Sequence, residues 1–334
     1  MRRLAPLKTA IVQPGPAVWC VRVLAGIALL AASSAVWAQP FGYSVNSRGN
    51  FSDSNDVNAL WRINLATGAE ERVSDQGLPT GYLDLEALAI NNDDQLFGVD
   101  DDSKTLVRVS MVTGVASAVG GTTSNLGLPL GTSLDFGMAF ACDNEAYVVS
   151  DVEQSLFTAN TTTGSLTRVG AAGSLSAPIT DIAIQGYDAY GIGVGLDSDG
   201  NTAAPNLYRV DLVRGTSTLI GPLGPDAGPY NNAGLSFDKQ GQLWAITDRR
   251  QVGGQDMASQ ILKIDTATGE ASLIGMSIVG LESLAIESRN FCPQNSPVNI
   301  KGVPVPTLNA WAVGFLVLVL MCMGVARTKR GKLS

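Results

Sequence analysis

The sequence predicts an all-β fold: a single β-propeller of five four-stranded blades, closed by strands from both ends of the chain. A signal peptide precedes it and one C-terminal transmembrane helix follows it. Three observations carry the propeller. An apolar strand, a tight turn ending in glycine and a second short strand recur at Leu60–Gly68, Leu106–Gly114, Leu156–Gly164, Leu207–Gly215 and Ile261–Gly269. The glycines are 46, 50, 51 and 54 residues apart, which is the size of a four-stranded blade. The first copy has no small-residue strand ahead of it, and the last such strand, Leu281–Ile286, has no outer strands behind it. Joined, the two ends make one complete blade and leave no exposed sheet edge at the seam.

The N-terminus comes first. Arg2, Arg3, Lys8 and Arg22 precede the apolar run Val23–Ala32, and Val36-Trp37-Ala38 sets small residues for signal-peptidase cleavage between Ala38 and Gln39. Residues 1–38 are therefore expected to be removed on export. Residues 39–290 form the propeller, 291–304 a linker, and 305–334 a C-terminal signal.

Each blade has a mechanism. Asn64, Ser110, Asn160, Asp211 and Asp265 open the recurring turn, where a side-chain oxygen can accept from the backbone ahead. Glycine closes it, where φ must be positive. The strand before the turn alternates apolar and polar residues, as a half-buried strand does. A second phrase supplies the inner strands: Glu86–Ile90, Phe136–Phe140, Thr180–Ile184, Ala233–Phe237 and Glu282–Ile286. A turn and a further strand follow, as at Gln95–Val99 and Gln242–Ile246. The stretches 115–134 and 186–206 have room for further irregular strands. Trp61, Phe97, Tyr208 and Trp244 fall on strand positions and are expected in the core. Asp100-Asp101-Asp102 reads as a charged turn.

The tail is the last element. Ala310–Ala326 holds 17 residues without a charge. As a helix that is about 25 Å, against about 30 Å of hydrocarbon. Arg327, Lys329, Arg330 and Lys332 follow and would stay cytoplasmic. Val305, Pro306, Thr307, Leu308 and Trp311 open the segment. Motif, span and basic stop together resemble the IPTL-CTERM sorting signal, a relative of the PEP-CTERM signals of Gram-negative bacteria. Val305 stands for the family's isoleucine, Asn309-Ala310 for Ser-Glu, and Ala312 for glycine. The resemblance implies recognition by an exosortase-type membrane protease, cleavage near the motif, and delivery from the inner membrane to the cell surface or extracellular matrix.

Composition narrows the chemistry. Four of the 22 basic residues lie in the first 38 residues and four beyond Pro306, whereas all 30 acids lie between, so the exported part carries 14 bases against 30 acids, a formal charge of −16. That opposes nucleic acid or anionic lipid as partner. The chain has no histidine, which rules out Ser-His-Asp and Cys-His catalysis and disfavours a zinc enzyme. No Gly-rich phosphate loop or nucleotide fingerprint is present. Two of four cysteines, Cys142 and Cys292, lie in the exported part and suit a disulfide there; buried thiols are the other reading.

Chemistry could gather where inner strands begin, around one mouth of the channel. Glu86, Asp135, Asp181, Asn232 and Glu282 stand near those positions. Converging oxygens can hold Ca²⁺ or Mg²⁺, as in metal-dependent propeller lactonases. The five are not in one register: Asp135 and Asn232 fall one position before Glu86 and Glu282, and Asp181 one after. Solvated polar residues at strand starts are the plainer reading. Asp197 and Asp199, two apart before Gly200, form a second calcium candidate or an ordinary hairpin loop. The expected function is a secreted, surface-sorted binding or structural module with a protein or glycan ligand. The alternative is a divalent-cation-dependent hydrolase or lactonase.

Overall fold

A computed structural model describes residues 40–46, 59–74, 82, 84–197 and 199–288. The signal peptide, the linker, the sorting motif and the expected transmembrane helix 310–326 lie outside them. Among the described residues no helix is long and apolar enough to cross a membrane.

The described chain is a five-bladed propeller of four-stranded antiparallel sheets. Blade 1 begins with β1 (Phe41–Val45), β2 (Leu60–Asn64) and β3 (Glu70–Arg72). Blade 2 holds β4 (Leu85–Ile90), β5 (Leu96–Asp100), β6 (Thr105–Val109) and β7 (Ala116–Ala118). Blade 3 holds β8 (Phe136–Phe140), β9 (Ala146–Ser150), β10 (Ser155–Ala159) and β11 (Leu166–Val169). Blade 4 holds β12 (Ile179–Gln185), β13 (Asp188–Gly193), β14 (Asn206–Asp211) and β15 (Thr216–Pro222). Blade 5 holds β16 (Ala233–Phe237), β17 (Leu243–Thr247), β18 (Ala258–Ile264) and β19 (Ala271–Val279). The chain then returns as β20 (Ala285–Ile286) to complete blade 1 in the order β20-β1-β2-β3. The expected blade count and two-ended closure are both observed. The stretch 186–206 holds β13, the second strand of blade 4.

The closing strand is shorter than expected. Only Ala285 and Ile286 ladder with Tyr43 and Gly42. Ahead of them the Ser283 hydroxyl, not a backbone carbonyl, accepts from the Val45 amide at 3.2 Å. The neighbouring blade explains the departure: a Cβ on Gly234 would lie 2.2 Å from the Leu284 nitrogen, so the two backbones touch there.

All five recurring turns form by the expected mechanism. Asn64, Ser110, Asn160, Asp211 and Asp265 accept from the amide two residues on, at 2.7–3.3 Å. The closing glycines have φ of 68° to 90°. A second repeated device stiffens the blades. A cation stacks on an aromatic ring in each: Arg62 on Phe41, Arg108 on Phe97, Arg168 on Phe157, Arg209 on Tyr190 and Lys263 on Trp244. Such pairs contribute about 0.5–1 kcal/mol each at partly exposed sites.

The core lies in the seams between blades. Ala87, Phe97 and Val99 pack against Met138, Val148 and Phe157, and equivalent apolar clusters fill the other seams. Phe97, Tyr208 and Trp244 are buried as expected, while Trp61 is half-buried, its Nε1 donating to Asn46. Inner strands β4, β8, β12, β16 and β20 touch in cyclic order around the axis. All five run the same way, so their first residues gather at one end of the channel and their last residues at the other.

Candidate functional site

Strand starts deliver the polar mouth. Glu86, Asp135, Asn232 and Glu282 come together there, although the register between them is uneven. They line a pocket of about 320 Å³ with Ser133, Asn231, Asp248, Arg250 and Gln251. Among the described residues, every lining side chain is polar.

Asp181, grouped with them on sequence, has a different place. A bulge between Ile179 and Asp181 re-aims its carboxylate. It accepts from Met138 and Ile182 at 3.0 and 2.8 Å and from Leu235 at 2.6 Å, so one side chain ties the inner strands of blades 3, 4 and 5. Gly137 makes room, since a Cβ there would lie 2.3 Å from the Asp181 Cα. Asp181 is fully buried and absent from the pocket lining. Burial holds its carboxyl well above the usual range, against the pull of three amides. It is a brace, not a ligand-facing group.

Glu86 also sits at a bulge, between Leu85 and Ala87, and accepts from the Phe136 amide at 3.0 Å. Burial first, then Asp135, Glu282, Asp84 and Asp101, push it well above the usual range. Asp84, Glu86 and Asp101 each offer an oxygen within 4.8 Å of the others, a set able to hold an oxygen-liganded cation. Asp135 adopts φ of +37° and meets the Ser133 hydroxyl at 3.4 Å.

Arg250 organises the opposite wall. Its Nε bonds Asp248, and Nη2 bonds Asp248 at 2.7 Å and Glu282 at 2.8 Å. Gly280 lies against the guanidinium, where a Cβ would come within 3.2 Å of Nε. Burial raises Glu282 to about 8, with Arg250 opposing the rise.

Sequence reasoning missed a second ring. Asn46, Asp101, Asp151 and Asp248 each follow the second strand of a blade and are buried at this end. The backbone amides of Asp101, Asp151 and Asp248 bond to the carbonyls of Asp84, Asp135 and Asn232. Their signal was the aspartate ending Val99-Asp100-Asp101, Val149-Ser150-Asp151 and Ile246-Thr247-Asp248. The charged turn at Asp100–Asp102 is therefore largely interior. Asp100 bonds the Asp84 amide and Ser103, and Asp101 bonds Leu134 and the buried ammonium of Lys104 at 2.5 Å. Asp151 is raised to about 8 by burial, Asp135 and Asp101, and its Oδ1 has no hydrogen-bond partner among the described residues.

The second calcium candidate is an Asx-type loop. The Asp197 carboxylate accepts from the amides of Asp199 and Asn201 at 3.0 and 2.8 Å, which lowers its pKa. The loop stands apart from the mouth pocket, and Asp199 is exposed. Cys142 is disulfide-bonded; Cys292, its expected partner, lies outside the described residues.

No family model matches the chain, and no curated protein matches it. Solved structures are similar at low level. A catalytically inactive virginiamycin B lyase of Staphylococcus aureus with quinupristin gives a TM-score of 0.39 at 16% identity, over 70% of this chain and 69% of that one. The selenomethionine-substituted lyase from the same organism gives 0.38 at 16% identity over the same shares. A protein of unknown function from Bacteroides thetaiotaomicron gives 0.38 at 14% identity, over 57% of this chain and 54% of that one. At this level of similarity the propeller rests on its own strand ladders, and no chemistry transfers.

Proposed function

We propose that this chain is an exported propeller of the Gram-negative envelope, sorted by its IPTL-CTERM-like tail through an exosortase-type protease, and that it works as a binding module. The polar mouth is its ligand site. One observation carries the binding half: a pocket whose described lining is wholly polar sits at one end of the channel, above the braced layer at Asp181. Chain direction supports it. β1 begins and β20 ends at the opposite end, so the described chain enters and leaves away from the pocket. A Cys142–Cys292 disulfide suits the oxidising compartment that export implies.

A second reading has its own observation. The Asp84, Glu86 and Asp101 oxygens would suit the divalent cation of a hydrolase. Chelator that leaves the melting temperature unchanged would count against it.

Fractionation of the native host with intact-mass measurement tests the proposal. The expected mature chain begins at Gln39, ends near Val305 and stays with the outer envelope. Ser133→Trp, which fills the mouth from its exposed rim, should release the mature chain into the medium. A chain running to Ser334 in the inner membrane would end the sorting reading. Ser133→Trp retained like wild type would end the binding reading.

A further inference from the structure

We infer that the polar mouth and the groove beside it form one site for a basic peptide segment of a partner protein, with a lysine ammonium in the mouth and a neighbouring apolar side chain in the groove. This rests on the mouth being a ligand pocket. The groove lies at the same end of the molecule, between the loops that follow β13, β15 and β17, and has a volume of about 710 Å³. Among the described residues its lining has no charged side chain. It is made of glycines, four prolines and the aliphatic Leu196, Ala227 and Val252, with Thr202 the one polar side chain. Few residues part the two spaces. Asn231 lines the mouth and Pro229 the groove, and Gln251 and Val252 divide in the same way.

The acids say what enters the mouth. Arg250 is committed to Asp248 and Glu282 on one wall. Glu86 and Asp135, from blades 2 and 3, have no cation partner among the described residues; Glu86 meets the Phe136 amide and Asp135 the Ser133 hydroxyl. A bare metal ion fits these walls poorly. The described acids that converge closely enough for one are Asp84, Glu86 and Asp101, and of these only Glu86 lines the mouth. An ammonium fits better, since its three donors can go to separate carboxylates and to the amide oxygens of Asn231, Asn232 or Gln251. Burial and like charge hold Glu86 and Glu282 up; an ammonium placed among them favours the ionised forms, so both act on it as charges. The formal charge of −16 on the exported part also draws a basic partner. The uncharged groove, of ordinary ligand-pocket size, then takes an apolar neighbour of the lysine, which a small free amine would leave unfilled.

The test is calorimetric titration of the full chain in phosphatidylcholine nanodiscs at about pH 8.5, above the value to which Glu282 is raised and below that of a lysine ammonium, about 10.4. The probes are acetyl-Leu-Gly-Lys-Gly-Leu-amide, the same peptide with glutamine at its centre, acetyl-lysine-amide, 1,5-diaminopentane and calcium chloride. The lysine peptide should bind with a Kd on the order of 0.1–1 mM, the two small amines about tenfold more weakly, and the glutamine peptide not detectably. Ser133→Trp should abolish binding of all three amines. Thr202→Trp, at an exposed position in the groove, should reduce the lysine peptide to the level of acetyl-lysine-amide and leave acetyl-lysine-amide itself unchanged. Circular dichroism of both variants should match wild type. Equal binding of the lysine and glutamine peptides would overturn the inference, as would a lysine peptide that binds no better than acetyl-lysine-amide or ignores Ser133→Trp. Tightest binding by 1,5-diaminopentane would make the ligand a free amine and overturn it too. If calcium alone binds and Ser133→Trp removes it, the mouth survives as a pocket and the peptide assignment fails. If no probe binds while Ser133→Trp still releases the mature chain from the host envelope, the binding reading stands and this inference fails; if neither is seen, both fail.

Discussion

The two ends of the channel are built from the same five inner strands, yet they are opposites. One end gathers Glu86, Asp135, Asn232 and Glu282 around a pocket of about 320 Å³. The other ends the same strands in Ile90, Phe140, Ile184, Phe237 and Ile286, and its described lining is mainly apolar side chains, with Ser236 and Ser288 among them, around about 40 Å³ of free space. The difference is taught by the inner-edge amides. Each inner strand presents N–H groups that have no strand partner toward the axis, and each needs an acceptor. Asp181 serves three of them and is used up in doing so. Glu86 serves Phe136. The acids left over at the mouth, with Arg250, exceed what the backbone requires.

The sharpest way to break the contrast is at its dividing layer. Asp181→Ala strands two inter-blade amides and one of its own, and should cost about 4 kcal/mol in denaturant unfolding. At the apolar end, Ile184→Val should cost about 1 kcal/mol. If the two losses are equal, Asp181 is not the brace that separates the ends.

Removing one partner of the buried ion triad comes next. Arg250→Met leaves Asp248 and Glu282 without their cation and should destabilise by about 3 kcal/mol near neutral pH. The loss should deepen as pH rises through about 8 and beyond, where Glu282, no longer lowered by Arg250, gives up its proton with no cation to meet the charge.

The pH response sharpens the contrast from the mouth alone. Asp151 is raised from 3.8 to about 8, so between those values the folded state holds a proton that the unfolded state has lost. Its contribution to stability is full below the unfolded value and is lost as pH rises through about 8. Asp151→Asn should therefore stabilise the protein by about 2 kcal/mol well above that pH, and change little under acid. Melting curves across pH would show it; a uniform shift at every pH would mean that Asp151 is not held neutral.

The smallest effect belongs to the hairpin turns. Asn160→Ala loses bonds to the amides of Thr162 and Thr163 on an exposed turn, and should cost about 0.5–1 kcal/mol. Binding at the mouth should be untouched.

Legibility followed the same divide. Repeated strands and side-chain-capped turns could be read because each is local and recurs five times, and the split blade because each end of the repeat lacks the strands that the other supplies. Glu86, Asp135, Asn232 and Glu282 could be read because strand direction alone puts first residues at one mouth. Asp181 could not, because a bulge of one residue turns its carboxylate inward, and period-2 alternation carries no sign of a bulge. Asp101, Asp151 and Asp248 were hidden differently. In sequence they resemble solvated turns, and only the packed blades show them buried. Arg250 beside Arg249 reads as surface charge; its burial comes from Gly280, Asp248 and Glu282, the last of these from the closing segment of the chain.

Whether the polar mouth is the working end is tested most directly by sedimenting the mature chain, purified from the native host after removal of the tail, with isolated envelope, using one blocking variant for each end. Ser133→Trp fills the polar mouth, and Lys239→Trp adds the same bulk to the exposed β16–β17 turn at the other end. The structure predicts that wild type and Lys239→Trp sediment alike while Ser133→Trp stays in solution. Equal sedimentation of all three, or loss only with Lys239→Trp, would contradict it.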